Sequence, residues 1–128
     1  MYPYASLATI ACVAVYTVVA FNVGGARVKY KVPAPSTDGP PEFLVRLRVQ
    51  MNTLEQLALA LPAIWLCAVW VGDSWAGLGG AVWALGRVMY ARGYYTDPKK
   101  RSAGFMIAFI AAMAMLVAAL AVVAMSLV

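Results

Sequence analysis

The chain has 128 residues, of which 64% are hydrophobic and 12% are charged, and its ten Lys and Arg outweigh five Asp and Glu for a net charge of +5. Soluble domains are typically about 45–50% apolar and about 25% charged, so this composition excludes an ordinary soluble globule, and its hydrophobicity excludes a disordered tail. There is no histidine, and the two cysteines stand alone in apolar runs. We therefore expect one domain, residues 1–128, with neither a disulfide framework nor a metal site.

Four apolar segments follow one another along the chain, and each is long enough to cross a membrane as a helix of about 20 residues. They are Tyr4–Val23, Val49–Val71, Ala76–Tyr95 and Gly104–Val128. Short links at 72–75 and 96–103 favour antiparallel neighbours. Gly77, Gly79 and Gly80 mark either a close helix contact or a helix start. The sequence thus predicts an all-α integral membrane protein folded as a four-helix up-down bundle.

Basic residues concentrate in two of the three connections. Residues 24–48 contain Arg27, Lys29, Lys31, Arg46 and Arg48, residues 96–103 contain Lys99, Lys100 and Arg101, and residues 72–75 contain none. The positive-inside rule places the first and third connections in the cytoplasm and both termini outside. Because topology accounts for this charge and no recognition motif is present, we expect no nucleic-acid partner. The proline-rich stretch Pro33–Pro41 predicts a rigid, non-helical connector.

Polar side chains in the second and third segments do not suit a lipid-facing helix. Arg48, Asn52 and Glu55 fall within an arc of about 60° on one helix face, flanked by Gln50 and Gln56. By the same arithmetic, Arg87, Tyr90 and Tyr94 share one face of the third segment. Ionisable groups inside a membrane span usually face a bundle interior, a cavity or a partner. These two faces are therefore candidates for a functional site.

Two interpretations of these faces stay open on residue types alone. Guanidinium groups suit carboxylates and Glu55 suits an ammonium, so the faces complement a small zwitterion with an excess of acid groups. Alternatively, Glu55 pairs with Arg48 or Arg87 merely to neutralise buried charge, and the tyrosines are core aromatics. Arg92 points elsewhere and, with Tyr95, is typical of an anchor at the membrane interface.

Three stretches resemble the family of membrane-associated proteins in eicosanoid and glutathione metabolism (MAPEG). The segment Gly39–Phe43 closes the first connection. Arg48, Gln50, Asn52 and Glu55 are similar to the family's R-x-Q-x-N-x-x-E signature. The third stretch is Gly86–Tyr95, followed by Asp97–Arg101 and Gly104-Phe105. Their order and spacing agree with the family across nearly the whole chain.

The resemblance implies a homotrimer of four-helix subunits with glutathione bound between neighbours, toward the cytoplasmic side. It implies glutathione contacts at Arg27, Arg48, Gln50, Asn52, Glu55, Tyr90 and Tyr94, and an arginine that stabilises the thiolate at Arg101. The implied activity is transfer of glutathione to an apolar electrophile from the bilayer, or reduction of a lipid hydroperoxide, without a metal. The chain departs from relatives at Gln56, where several have tyrosine, and at Val28, where the leukotriene-conjugating enzyme has arginine.

Other functions compete with a transferase. The family includes a member that presents a lipid to another enzyme without catalysis. Small multidrug exporters also have four spans and use a membrane-embedded glutamate, but here the first span has no acid, and Glu55 lies beside arginines that would repel cationic drugs. The minimal loops favour a bacterial inner membrane, with the glutathione site on its cytoplasmic side.

Overall fold

Four long α-helices make up the computed structural model, which describes residues 1–128. They are α1 (Pro3–Tyr30), α2 (Pro41–Trp70), α3 (Asp73–Thr96) and α4 (Ser102–Ser126), with a short 3-10 turn at Pro98–Arg101. No strand is present. The predicted all-α, four-helix architecture is confirmed.

The first two helices extend well beyond their apolar segments. α1 continues to Tyr30, where Lys31 in the left-handed conformation (φ 55°) ends it, and α2 already begins at Pro41. Of the predicted connection over residues 24–48, only residues 31–40 lie outside a helix. Hydropathy marks the part of a helix that suits hydrocarbon, whereas the helical backbone continues into the polar region. Proline at the first position of α2 fits the helix because its φ is already set.

Three helical segments are long and apolar enough to cross a membrane: α1, α2, and Pro98–Ser126, which contains α4. The helix α3 is not among them; it carries Arg87 and Arg92. Large apolar side chains cover the outside of the bundle, and Leu7, Leu85 and Ile110 are each more than half exposed. Such a surface matches lipid rather than water. The chain is an integral membrane protein.

Small residues allow the helices to pack closely. A side chain at Gly80 would meet the Ala8 side chain of α1 at 2.5 Å, and one at Gly86 would meet the Ala108 amide of α4 at 2.7 Å. The glycines of α3 thus mark close helix contacts, as is common in membrane bundles. Both α2 and α3 pack against all three other helices, so they form the centre of the bundle.

The start of α3 is tied to the start of α1 by one carboxylate. The two oxygens of Asp73 accept hydrogen bonds from the backbone amides of Tyr4 (3.0 Å) and Ala5 (2.9 Å). These amides belong to the first turn of α1 and have no partner within their own helix. The contact fixes one end of the bundle, and the basic residues and the candidate site lie at the other.

Candidate glutathione site

A cavity of about 380 Å³ lies at the basic end of the bundle, where α2 and α3 meet the start of α4. Its lining consists of Arg48, Asn52, Tyr90, Tyr94, Arg101, Ser102, Phe105 and Met106. The first five are residues for which the sequence predicted contact with glutathione or its thiolate. The fold therefore brings together five predicted side chains from three separate segments of the chain.

The 3-10 turn before α4 places Arg101 at this cavity. The Asp97 side chain accepts a hydrogen bond from the Lys99 amide (3.0 Å) and starts the turn. Gly93 lets the turn lie directly on α3, because a side chain there would approach the Lys100 carbonyl oxygen to 2.5 Å. The Arg101 guanidinium donates to the Pro98 carbonyl (2.6 Å) and lies 5.7 Å from the centre of the Tyr94 ring. Its remaining donors are free to face a ligand.

Glu55 lies beside the cavity rather than in its lining. Its carboxylate is 3.8 Å from the Arg48 guanidinium, and both side chains are about half exposed. An exposed ion pair at this distance contributes little to stability. The pairing of Glu55 with Arg48 is therefore present, but it does not neutralise buried charge as the alternative interpretation required. Glu55 remains accessible to a ligand's ammonium group.

Arg87 is the buried cation of the site, with a side chain that is 0% exposed. Its Nη2 donates to Asn52 Oδ1 (2.8 Å) and to Thr53 Oγ1 (2.9 Å), and its guanidinium lies 3.9 Å from the centre of the Tyr90 ring. No carboxylate lies within 4.0 Å of it, and Nε and Nη1 have no hydrogen-bond partner. Arg87 therefore supports two cavity residues from behind and leaves a positive charge without a carboxylate partner.

The contact with Arg87 also fixes the chemical role of Asn52. A guanidinium can only donate hydrogen bonds, so the Asn52 side-chain oxygen must face Arg87. The Asn52 nitrogen makes no hydrogen bond within the chain. Asn52 therefore presents its side-chain nitrogen as a donor to whatever occupies the cavity.

Arg27 and Gln50 do not line this cavity. Arg27 donates to the Ser36 carbonyl at 2.7 Å and stacks over the Phe43 ring, so it holds the proline-rich connector against α2. Gln50 donates to the hydroxyl of Tyr16 in α1 (3.0 Å). Within one chain, five of the predicted contacts line the cavity and Glu55 lies beside it, whereas these two lie elsewhere.

Three lining residues were not assigned from the sequence: Ser102, Phe105 and Met106. They occupy the first turns of α4 and follow Arg101 directly. Their position just after Arg101 was the one sequence feature that could have predicted their place in the cavity lining. The Phe105 ring lies 6.3 Å from that of Tyr90, which joins the aromatic side chains of α3 and α4. These residues give one side of a basic cavity an apolar wall.

Residues 5–121 match the model of the MAPEG family. The chain belongs to the MAPEG family. The resemblance found in the sequence is thereby confirmed over nearly the whole chain.

Individual MAPEG relatives come from bacteria and mammals. An uncharacterised protein of Synechocystis is 46% identical over 115 residues, which cover 90% of this chain and 84% of that protein. Human microsomal glutathione S-transferase 2 is 37% identical over 86 residues, covering 67% of this chain and 58% of the transferase. Bovine leukotriene C4 synthase is 34% identical over 82 residues, covering 64% and 55%. The matched region therefore spans less than two thirds of either mammalian enzyme.

Proposed function

We propose that this MAPEG protein is a membrane glutathione transferase that binds glutathione in the basic cavity and activates its thiol as a thiolate. The observation that carries the proposal is the meeting of Arg48, Asn52, Tyr90, Tyr94 and Arg101 around one cavity. The glutathione-named relatives support the choice of ligand.

The charges around the cavity suit the charges of glutathione. Three guanidinium groups (Arg48, Arg87 and Arg101) and one carboxylate (Glu55) leave the site positive. Glutathione carries two carboxylates and one ammonium, so its excess of acid matches this excess of base. Glu55 would exchange part of its contact with Arg48 for the ammonium. The Asn52 nitrogen would donate to a carbonyl or carboxylate oxygen.

Arg101 is the residue proposed to stabilise the thiolate. A nearby cation favours the ionised form of a thiol and lowers its pKa. A fall in that pKa from about 8.5 to about 6.5 would raise the thiolate fraction at pH 7 about 25-fold, from about 3% to about 76%. No separate general base is then needed.

The thiolate would attack an apolar molecule that enters from the bilayer along Phe105 and Met106. In conjugation, the sulfur forms a bond to an electrophilic carbon and a leaving group departs with its electron pair. In peroxide reduction, the sulfur attacks the terminal oxygen, an alcohol leaves, and a second glutathione converts the sulfenic acid to a disulfide and water.

The position of Arg27 and Gln50 outside the cavity is consistent with a homotrimer. In the family arrangement that the sequence resembles, glutathione lies between subunits, so Arg27 and Gln50 of a neighbouring copy would complete the site. The basic connections would place it on the cytoplasmic side of a bacterial inner membrane.

A pair of neighbouring variants tests the catalytic role of Arg101. We expect the purified wild type to conjugate glutathione to an activated aryl halide or to reduce an organic hydroperoxide, and Arg101→Ala to lower the rate at pH 7 by about tenfold or more. Lys100→Ala is the matched control, because Lys100 is an exposed cation in the same turn that does not line the cavity. Equal losses in both variants would contradict the assigned role. Saturable glutathione binding without turnover of either substrate class would contradict the transferase proposal and favour a lipid-presenting protein.

A further inference from the structure

A second groove, of about 320 Å³, runs between α1 and α3. The aliphatic side chains of Val15, Val18, Val19 and Val88 line most of it, and Asn22, Arg92 and Tyr95 close its basic end. On α1 the groove covers about two helical turns, roughly 10 Å. It shares no lining residue with the proposed glutathione cavity.

The basic end of this groove holds hydrogen-bond donors without acceptors. Arg92 is exposed and forms neither an ion pair nor a side-chain hydrogen bond. The Arg46 guanidinium lies 5.3 Å from the centre of the Tyr95 ring, and its contact is the carbonyl of Glu42 in its own helix. Arg92 therefore lines the groove together with Tyr95, Arg46 lies over the Tyr95 ring, and no carboxylate pairs with either cation.

The Tyr95 hydroxyl adds a neutral donor to these two cations. Its oxygen accepts a hydrogen bond from the Asn22 side-chain nitrogen (3.1 Å). The Tyr95 proton makes no hydrogen bond within the chain, so it remains available to an acceptor outside the chain. Arg92 and Tyr95 thus offer donors at the end of an apolar groove, and Arg46 lies over the Tyr95 ring beside them.

We propose that this groove binds an anionic phospholipid of the adjacent leaflet, with one acyl chain along the valines and the phosphate between Arg46, Arg92 and Tyr95. Charge complementarity selects the occupant. A phosphate offers several acceptor oxygens to guanidinium groups, whereas the quaternary ammonium of a choline headgroup would face two cations. The place at the basic end of the bundle agrees with the attraction of such ends to anionic lipid surfaces.

Lipid retention by the whole protein tests this proposal. The protein is reconstituted in bilayers that contain equal amounts of phosphatidylglycerol and phosphatidylcholine and is then extracted in mild detergent. Native mass spectrometry identifies the lipids that remain bound. We expect the wild type to retain phosphatidylglycerol preferentially, and Arg92→Gln and Tyr95→Phe each to lower that retention about fivefold. Glutathione binding in Arg92→Gln should be unchanged, because Arg92 lies outside the other cavity.

Lys100→Gln is the matched control, since it removes one exposed positive charge at the same end of the bundle without touching the groove. Equal losses in Lys100→Gln and Arg92→Gln would overturn the proposal in favour of diffuse surface charge. Retention of both lipids in equal amounts by the wild type would also overturn it. A third test is Val18→Arg, which places a charge in the groove. If that variant separates associated copies and leaves lipid retention intact, a second copy covers the groove instead.

Discussion

Replacing Gly104 with alanine should loosen the bundle directly beneath the proposed glutathione cavity. Gly104 lies in the first turn of α4, where α4 meets α3 backbone to backbone. A side-chain carbon there would collide with the Tyr90 backbone nitrogen and would lie 2.6 Å from both the Gly86 carbonyl oxygen and the Tyr90 Cα. Ordinary contact begins at 3.4 Å, so the two 2.6 Å contacts alone require α4 to retreat by about 0.8 Å, and the closer Tyr90 nitrogen requires more. Because backbone cannot rotate aside as a side chain can, we expect destabilisation at the upper end of the range for overpacking, about 2–3 kcal/mol.

The same displacement should weaken glutathione binding, because Tyr90 and Phe105 form facing parts of the cavity lining on the two helices that separate. The assay is the free energy of unfolding in mixed detergent micelles, together with the glutathione dissociation constant of the folded variant. Gly24→Ala is the matched control: Gly24 is also helical, but no atom lies within 4 Å of the added carbon. It should be neutral or stabilise the protein by about 0.5–1 kcal/mol. Unchanged stability and affinity in Gly104→Ala would refute the close packing of α3 and α4.

Three further substitutions separate binding from folding. Asp73→Asn should lower the free energy of unfolding by about 1 kcal/mol without changing glutathione affinity, because the carboxylate caps α1 at the end remote from the cavity; a change in affinity alone would contradict this. Asn52→Asp should keep or raise thermal stability, because a carboxylate pairs well with Arg87, but it should weaken glutathione binding about tenfold because the donor is lost. Unchanged glutathione affinity in isothermal titration calorimetry would contradict this role of Asn52. Glu55→Gln should weaken glutathione affinity with little change in the free energy of unfolding, because the ion pair of Glu55 is half exposed. Loss of stability without loss of affinity would instead favour the interpretation that Glu55 forms a purely structural salt bridge.

The helices were predictable because hydrophobic length signals membrane spans strongly, but their ends were not. Nothing in an apolar window shows that α1 continues to Tyr30 or that α2 starts at Pro41. Helical backbone outside the hydrocarbon is stabilised by local contacts, such as the stacking of Arg27 over Phe43. Those contacts depend on how the connector folds back, which periodicity does not encode.

Much of the candidate site was predictable from helical arithmetic. Residues three and four apart share a face, which is enough to place Arg48 with Asn52 and Tyr90 with Tyr94. The arithmetic could not tell which face of α3 would meet which face of α2. Arg87 shares a face with Tyr90 and Tyr94, yet its guanidinium is buried behind the cavity rather than open to it. That distinction depends on how closely the helices pack: Arg87 contacts Asn52 and Thr53 of α2, and Gly86 and Gly104 bring α3 and α4 into backbone contact.

The measurement that tests the central claim most directly is a glutathione titration of the purified protein in detergent, followed by the ultraviolet absorbance of the thiolate. We predict a saturable thiolate signal at neutral pH in the wild type, its loss in Arg101→Ala, and its retention in Lys100→Ala. Absence of binding at millimolar glutathione, or an equal signal in all three proteins, would contradict activation of glutathione at the basic cavity.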